Sequence, residues 1–157
     1  MLHGVEGHDV SSVLNALVEA APLDPSIDRS ELFARLIERE EMSSTRIGRG
    51  VAIPHPRTPL EGSPPDPSIT TGFLKRPVDY GAIDGRPVFV LFHMISPSSK
   101  VHLNHIARLS YLLRERPFMD FLRTRPSSNE LCSRVSEMEA RMGTTAHPLR
   151  ADNAFKG

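Results

Sequence analysis

Residues 88–95, Val88-Phe89-Val90-Leu91-Phe92-His93-Met94-Ile95, constrain this chain more than any other stretch. The run is almost continuously apolar and does not alternate, so a strand here must be covered on both faces. Such a strand belongs in the middle of a sheet, with a layer on either side. Candidate layers lie before and after it. Residues 9–20 place Val10, Val13, Leu14, Leu17 and Val18 on one helical face, with Asp9 as N-cap. Asp28-Arg29-Ser30-Glu31 reads as a capping box. It opens a second helix that carries Leu32, Phe33, Leu36 and Ile37 and runs to about Glu40. After the strand, a helix over about 100–115 turns Val101, Ile106, Leu109, Leu112 and Leu113 inward. Pro117 restarts the helix through Phe118, Phe121 and Leu122. Ser127-Ser128-Asn129-Glu130 caps a last helix through Leu131, Val135 and Met138.

Two further strands are predicted, at 51–53 and 69–74. Residues 42–50 read as turn, and 58–68, with four prolines, as a surface loop. Helices at both ends and strands in irregular order predict an α/β (α+β) protein, a sheet of four or five strands covered by helices. A purely parallel Rossmann sheet is not expected, and no glycine-rich nucleotide motif occurs. Residues 1–142 are expected to form one domain, followed by a mobile tail over 143–157. Nineteen basic residues balance nineteen acidic ones, which argues against a nucleic-acid binder driven by net charge and against a polybasic membrane anchor. No apolar run approaches the roughly 20 residues of a membrane span, and no signal peptide is read, so the cytoplasm is expected. The single cysteine, Cys132, excludes an internal disulfide and reads as a partly buried structural thiol.

The chain has seven histidines, and one is placed with unusual constraint. His55 follows the strand Val51-Ala52-Ile53 and stands between Pro54 and Pro56. Each proline pushes the residue before it into an extended conformation, so the backbone on both sides of the imidazole is fixed. The bland alternative is a loop histidine that only accompanies a proline-rich bend.

The stretch Ser44-Thr45-Arg46-Ile47-Gly48-Arg49-Gly50-Val51-Ala52-Ile53-Pro54-His55 closely resembles the S-T-x-I-G-x-G-I-A-I-P-H signature of the IIA domains of the bacterial sugar phosphotransferase system. The similar branch is the fructose–mannitol class, which includes the nitrogen-regulatory IIA proteins. Upstream, Leu36-Ile37-Glu38-Arg39-Glu40-Glu41-Met42 resembles the family's L-x-x-R-E-x-L/M element. Downstream, 77–88 (PVDYGAIDGRPV) is similar to P-I/V-x-F/W-x-A-x-D-G-x-P-V, and His102-Leu103 falls where the family has a second histidine.

The resemblance implies a mixed five-stranded sheet flanked by helices. It implies that His55 accepts a phosphoryl group from the phosphohistidine of HPr or its nitrogen-branch relative. The group then passes to an EIIB partner or acts as a signal to a regulated target. His102 corresponds to the supporting histidine and Arg39 to an arginine near the phosphorylation site. No cofactor or metal is implied. A stand-alone IIA suits regulation better than sugar uptake. Arg39, His55 and His102 are expected to meet in one shallow, open depression, with the His55 ring open to solvent. Arg57 is a second candidate cation.

One departure matters. The family usually carries glycine or alanine after its histidine, and Pro56 here removes an amide N–H that could bond a phosphoryl oxygen. Pro56 favours the alternative of an EIIA-like module that binds a partner without carrying phosphate. A weaker alternative is a metal site built on His102 and His105, with His93 nearby. In the bland reading His105 covers a helix surface and His93 faces the sheet edge or a neighbour.

Overall fold

The computed structural model describes residues 1–60, 65–82 and 84–141. Its elements run β1 (Leu2–Val5), α1 (Val10–Ala20), α2 (Arg29–Met42), β2 (Arg46–Gly48), β3 (Val51–Ala52), β4 (Ser68–Val78), β5 (Val88–Ile95), α3 (Ser99–Arg114), α4 (Arg116–Arg123) and α5 (Ser128–Arg141). The five strands form one sheet in the order β1-β4-β5-β3-β2. β5 is central, and every one of its residues is buried. It runs antiparallel to β4 and parallel to β3; β1 is parallel to β4, and β2 antiparallel to β3. The sheet is therefore mixed, as expected.

Alternation along β5 builds two cores. Val90, Phe92 and Met94 face a layer that includes Leu109, Leu112, Phe118, Leu122, Leu131 and Val135 from α3, α4 and α5. Leu91 and Ile95 face the opposite layer, with Val13, Leu14, Leu17, Leu32 and Leu36 from α1 and α2. Cys132 packs against the first core and is half-buried. The helix starts follow their capping chemistry. Asp9 accepts the Ser12 N–H at 2.7 Å, Asp28 accepts the Glu31 N–H at 2.9 Å, and Ser127 and Glu130 form a reciprocal box.

Two strands were not expected. β1 is an edge strand of four residues, two of them exposed, too short to show an apolar period. β2 lies inside the stretch read as turn. Three residues cannot display a period of two, and the glycines around them dominate the pattern. The β2–β3 hairpin turns through Gly48, Arg49 and Gly50, all at positive φ (80°, 59° and 84°). Arg49 is held in that costly conformation from two sides: its N–H donates to Asp84 at 2.7 Å, and its Nη1 donates to the Leu113 and Arg114 carbonyls at 2.8 and 3.0 Å. The expected tail over 143–157 lies outside the described residues.

Gly50 and Gly81 separate two costs of replacing a glycine. Both sit at positive φ, but a Cβ on Gly50 would lie 2.7 Å from Cδ1 of Phe89, whereas one on Gly81 meets nothing within 4 Å. Gly81→Ala is expected to lose about 1–2 kcal/mol from backbone strain alone. Gly50→Ala loses clearly more, because a buried ring must also move. Urea denaturation of the two variants measures the difference; equal losses would refute the clash.

Candidate functional site

Three elements bring their ends together at the C-terminal end of β3. Pro54, just past that strand, accepts the Met94 N–H at 3.0 Å and so extends the pairing with β5 by one step. His55 follows. Its Nδ1 lies 2.7 Å from the Ile53 carbonyl, and its Nε2 lies 3.3 Å from Nε of Arg39. The two partners fix the tautomer. A carbonyl only accepts, so Nδ1 carries the proton; a guanidinium only donates, so Nε2 presents its lone pair. Arg39, in the last turn of α2, also donates from Nη1 to the Ser43 carbonyl at 2.6 Å, which braces the guanidinium. His102, in the first turn of α3, places its ring centroid 4.5 Å from that of His55 at 49°. The three residues expected to meet do meet.

The expectation of an open site is corrected. His55 is only 8% exposed. The bond to Ile53 folds the ring back toward the strand, and Arg39 and His102 lie against it. The neighbouring cleft, about 210 Å³, is lined by Pro56, Arg57, Leu60, Met94, Ser96 and His102, not by His55. Arg57 is exposed on that rim, where its Nη1 contacts the Met42 sulfur at 3.7 Å, and it does not reach the imidazole as Arg39 does.

Electrostatics keep these rings neutral. Burial lowers the His55 pKa, opposed by the Ile53 carbonyl and assisted by Arg39. Burial, then the neighbouring His55, His105 and Arg39, hold His102 at about 4. A neutral ring retains the lone pair that an imidazolium lacks.

Two further residues depart from their bland readings. His93 lies in the middle of the sheet, not at its edge, almost completely buried with Nε2 unpartnered, and burial followed by His55 lowers its pKa to about 4. His105 is buried and bonds the Val101 carbonyl through Nδ1 at 2.8 Å, so it does not cover an exposed helix surface. Among the described residues, no group of three or more His, Cys, Asp or Glu is arranged to hold a metal ion.

Residues 3–138 match the family described as phosphoenolpyruvate-dependent sugar phosphotransferase system, EIIA 2. The chain belongs to this EIIA family. It is 37% identical over 123 residues to a nitrogen regulatory protein of Bradyrhizobium diazoefficiens, covering 73% of this chain and 76% of that one. It is 33% identical over 117 residues to a nitrogen regulatory protein of Pseudomonas aeruginosa, covering 73% and 74%. The crystal structure of the nitrogen regulatory protein IIA-Ntr from Neisseria meningitidis superposes with a TM-score of 0.68 at 25% identity, over 83% of this chain and 88% of that one. Among the described residues of this EIIA protein, no helix is long and apolar enough to cross a membrane.

Sequence reasoning missed Glu40. It stands beside Arg39 on α2 but points elsewhere, because neighbouring helical residues diverge by about 100°. Its carboxylate accepts the Thr45 N–H at 3.0 Å, the Thr45 hydroxyl at 2.6 Å and the Ser44 hydroxyl. Thr45 in turn accepts the Ile53 N–H through its carbonyl at 3.0 Å. Glu40 thus ties α2 to the strand that carries His55. The signal was present, since Glu40 follows Arg39 within the motif itself.

The lowered pKa values carry a stability consequence with a definite sign. His93 and His102 titrate near 4 when folded against 6.5 ordinarily, so the unfolded chain takes up their protons first. Stability present above about 6.5 is lost as the pH falls toward about 4. The urea midpoint is expected to drop through that window, and less steeply in His93→Phe. An unchanged slope in the variant would exclude His93 as a contributor.

Proposed function

We propose that this EIIA protein is a phosphohistidine carrier that accepts a phosphoryl group from HPr or its nitrogen-branch relative on Nε2 of His55. The observation that carries the reading is the fixed tautomer. Nδ1–H is committed to the Ile53 carbonyl, and the lone pair of Nε2 faces the guanidinium of Arg39. As Nε2 forms its bond to phosphorus, the donor's N–P bond breaks and the electron pair returns to the donor ring. Nδ1 keeps its proton, and the Ile53 carbonyl supports the positive charge that develops there.

Arg39 covers Nε2 in the resting protein, so it turns outward to admit phosphorus. Its planar donors then match the equatorial oxygens, where charge builds in the transition state. His102 offers a second donor to the phosphoryl group. Pro56 supplies no N–H, which leaves more of the oxygen stabilisation to these two side chains. The surface around the site suits a protein donor. Met42 and Leu103 are exposed apolar residues on α2 and α3, close in sequence to Arg39 and His102. The nitrogen regulatory names of the relatives support a signalling role more than sugar uptake, with an EIIB protein or a regulated target as receiver.

Incubation with phosphorylated HPr or its nitrogen-branch relative is expected to give an acid-labile adduct, assigned to Nε2 by phosphorus NMR and absent in His55→Ala. Arg39→Gln should slow the transfer roughly 100-fold, the scale for removing one transition-state donor. The absence of an adduct from either donor would favour the module that binds without carrying phosphate, a reading to which Pro56 and the burial of His55 lend weight.

A further inference from the structure

The end of the sheet opposite His55 carries a cleft of about 590 Å³ that the chemistry above does not use. Four arginines line it: Arg49 from the β2–β3 turn, Arg86 before β5, Arg123 at the end of α4 and Arg125 just beyond. No carboxylate does. The chain as a whole balances acids and bases, so this is a local concentration of charge and not a reflection of composition.

The cleft is built rather than incidental. Arg49 is fixed by its bonds to the Leu113 and Arg114 carbonyls. The guanidinium of Arg123 lies 5.1 Å from the centre of the Phe89 ring, and that ring sits against Gly50, where a Cβ would collide with it. Arg86, Arg123 and Arg125 are exposed and form no salt bridge among the described residues. Asp84 interacts electrostatically with Arg86, and its carboxylate also accepts the backbone N–H groups of Arg49 and Arg86 at 2.7 and 3.2 Å.

Clustered guanidinium charges with no carboxylate in the lining repel one another, and an anion relieves that repulsion. Planar forks of N–H donors match phosphate oxygens in pairs. The forks of Arg86, Arg123 and Arg125 around one concavity, added to the charge of Arg49, suit a compact anion with several charges better than a single phosphate. The volume falls within the range of small-molecule sites. Arg123, stacked on the buried Phe89 ring, is itself exposed, and its planar guanidinium suits stacking by a heteroaromatic ring attached to those phosphates. We propose that this arginine cleft binds a nucleoside polyphosphate. The proposal does not depend on phosphoryl transfer at His55.

Titration calorimetry on the full chain tests it, with ADP, ATP, tripolyphosphate, orthophosphate, adenosine and a hexaglutamate peptide as probes. ADP and ATP are expected to bind saturably, with an affinity that falls as salt rises; adenosine and orthophosphate are not. The double variant Arg86→Gln/Arg125→Gln, and separately Arg123→Gln, should weaken ATP roughly tenfold or more. Arg116→Gln, outside the cleft, should leave it unchanged. Circular dichroism checks that each variant is folded. No saturable binding of ADP or ATP, or binding that survives all the cleft variants, overturns the proposal. Tripolyphosphate binding as tightly as ATP overturns its nucleoside part. Capture of the peptide in place of ATP reassigns the cleft to an acidic protein segment.

Discussion

The hydrogen-bonded pairing of β5 with β4 on one side and β3 on the other is the constraint from which the rest of the molecule follows. A strand buried on both faces cannot leave backbone groups unpaired without a penalty of a few kcal/mol each. It therefore needs a partner on each flank and a helical layer above and below. The antiparallel partner comes from the chain before it, through a connection near Asp84. The parallel partner is only two residues long, Val51 and Ala52, and the bond from Met94 to the Pro54 carbonyl continues its pairing. That short strand is what delivers His55 to one end of the sheet, between the end of α2 and the start of α3.

At this point the fold trades exposure for definition. An imidazole on a free loop would sample many rotamers and both tautomers. Here, two prolines stiffen its backbone, the Ile53 carbonyl takes one ring nitrogen, and a guanidinium covers the other. The cost is access: the ring is nearly buried. The gain is that the nucleophilic lone pair is already on one nitrogen and already beside a cation. Three imidazoles, His55, His93 and His102, share the neighbourhood, and His55 lowers the tendency of the other two to take up a proton. For those two, that repulsion acts in the same direction as burial.

Much of this was legible in the sequence because the relevant signals are local. The apolar run at 88–95 announced a central strand, and the caps at Asp9, Asp28 and Ser127 announced three helix starts. The ordered motifs around Arg39, His55 and His102 announced that these residues would converge. What remained hidden depends on distance in space. β1 and β2 are strands because longer strands recruit them, not because of their own pattern. Glu40 acts through Thr45 and Ser44, a bridge that only the closed hairpin creates. The burial of His55 could not be read from Pro54 and Pro56, which define the direction of the backbone but not what packs over the ring.

β3 and β5 run parallel, so both present the same polarity. Their starting ends lie by Gly50 and Phe89, and their finishing ends by His55 and Ile95. Eight residues of β5 at the rise of a strand span roughly 26 Å. A protein docked over the imidazoles would therefore leave the far pole of the sheet uncovered, so the two proposed sites would not compete for the same surface.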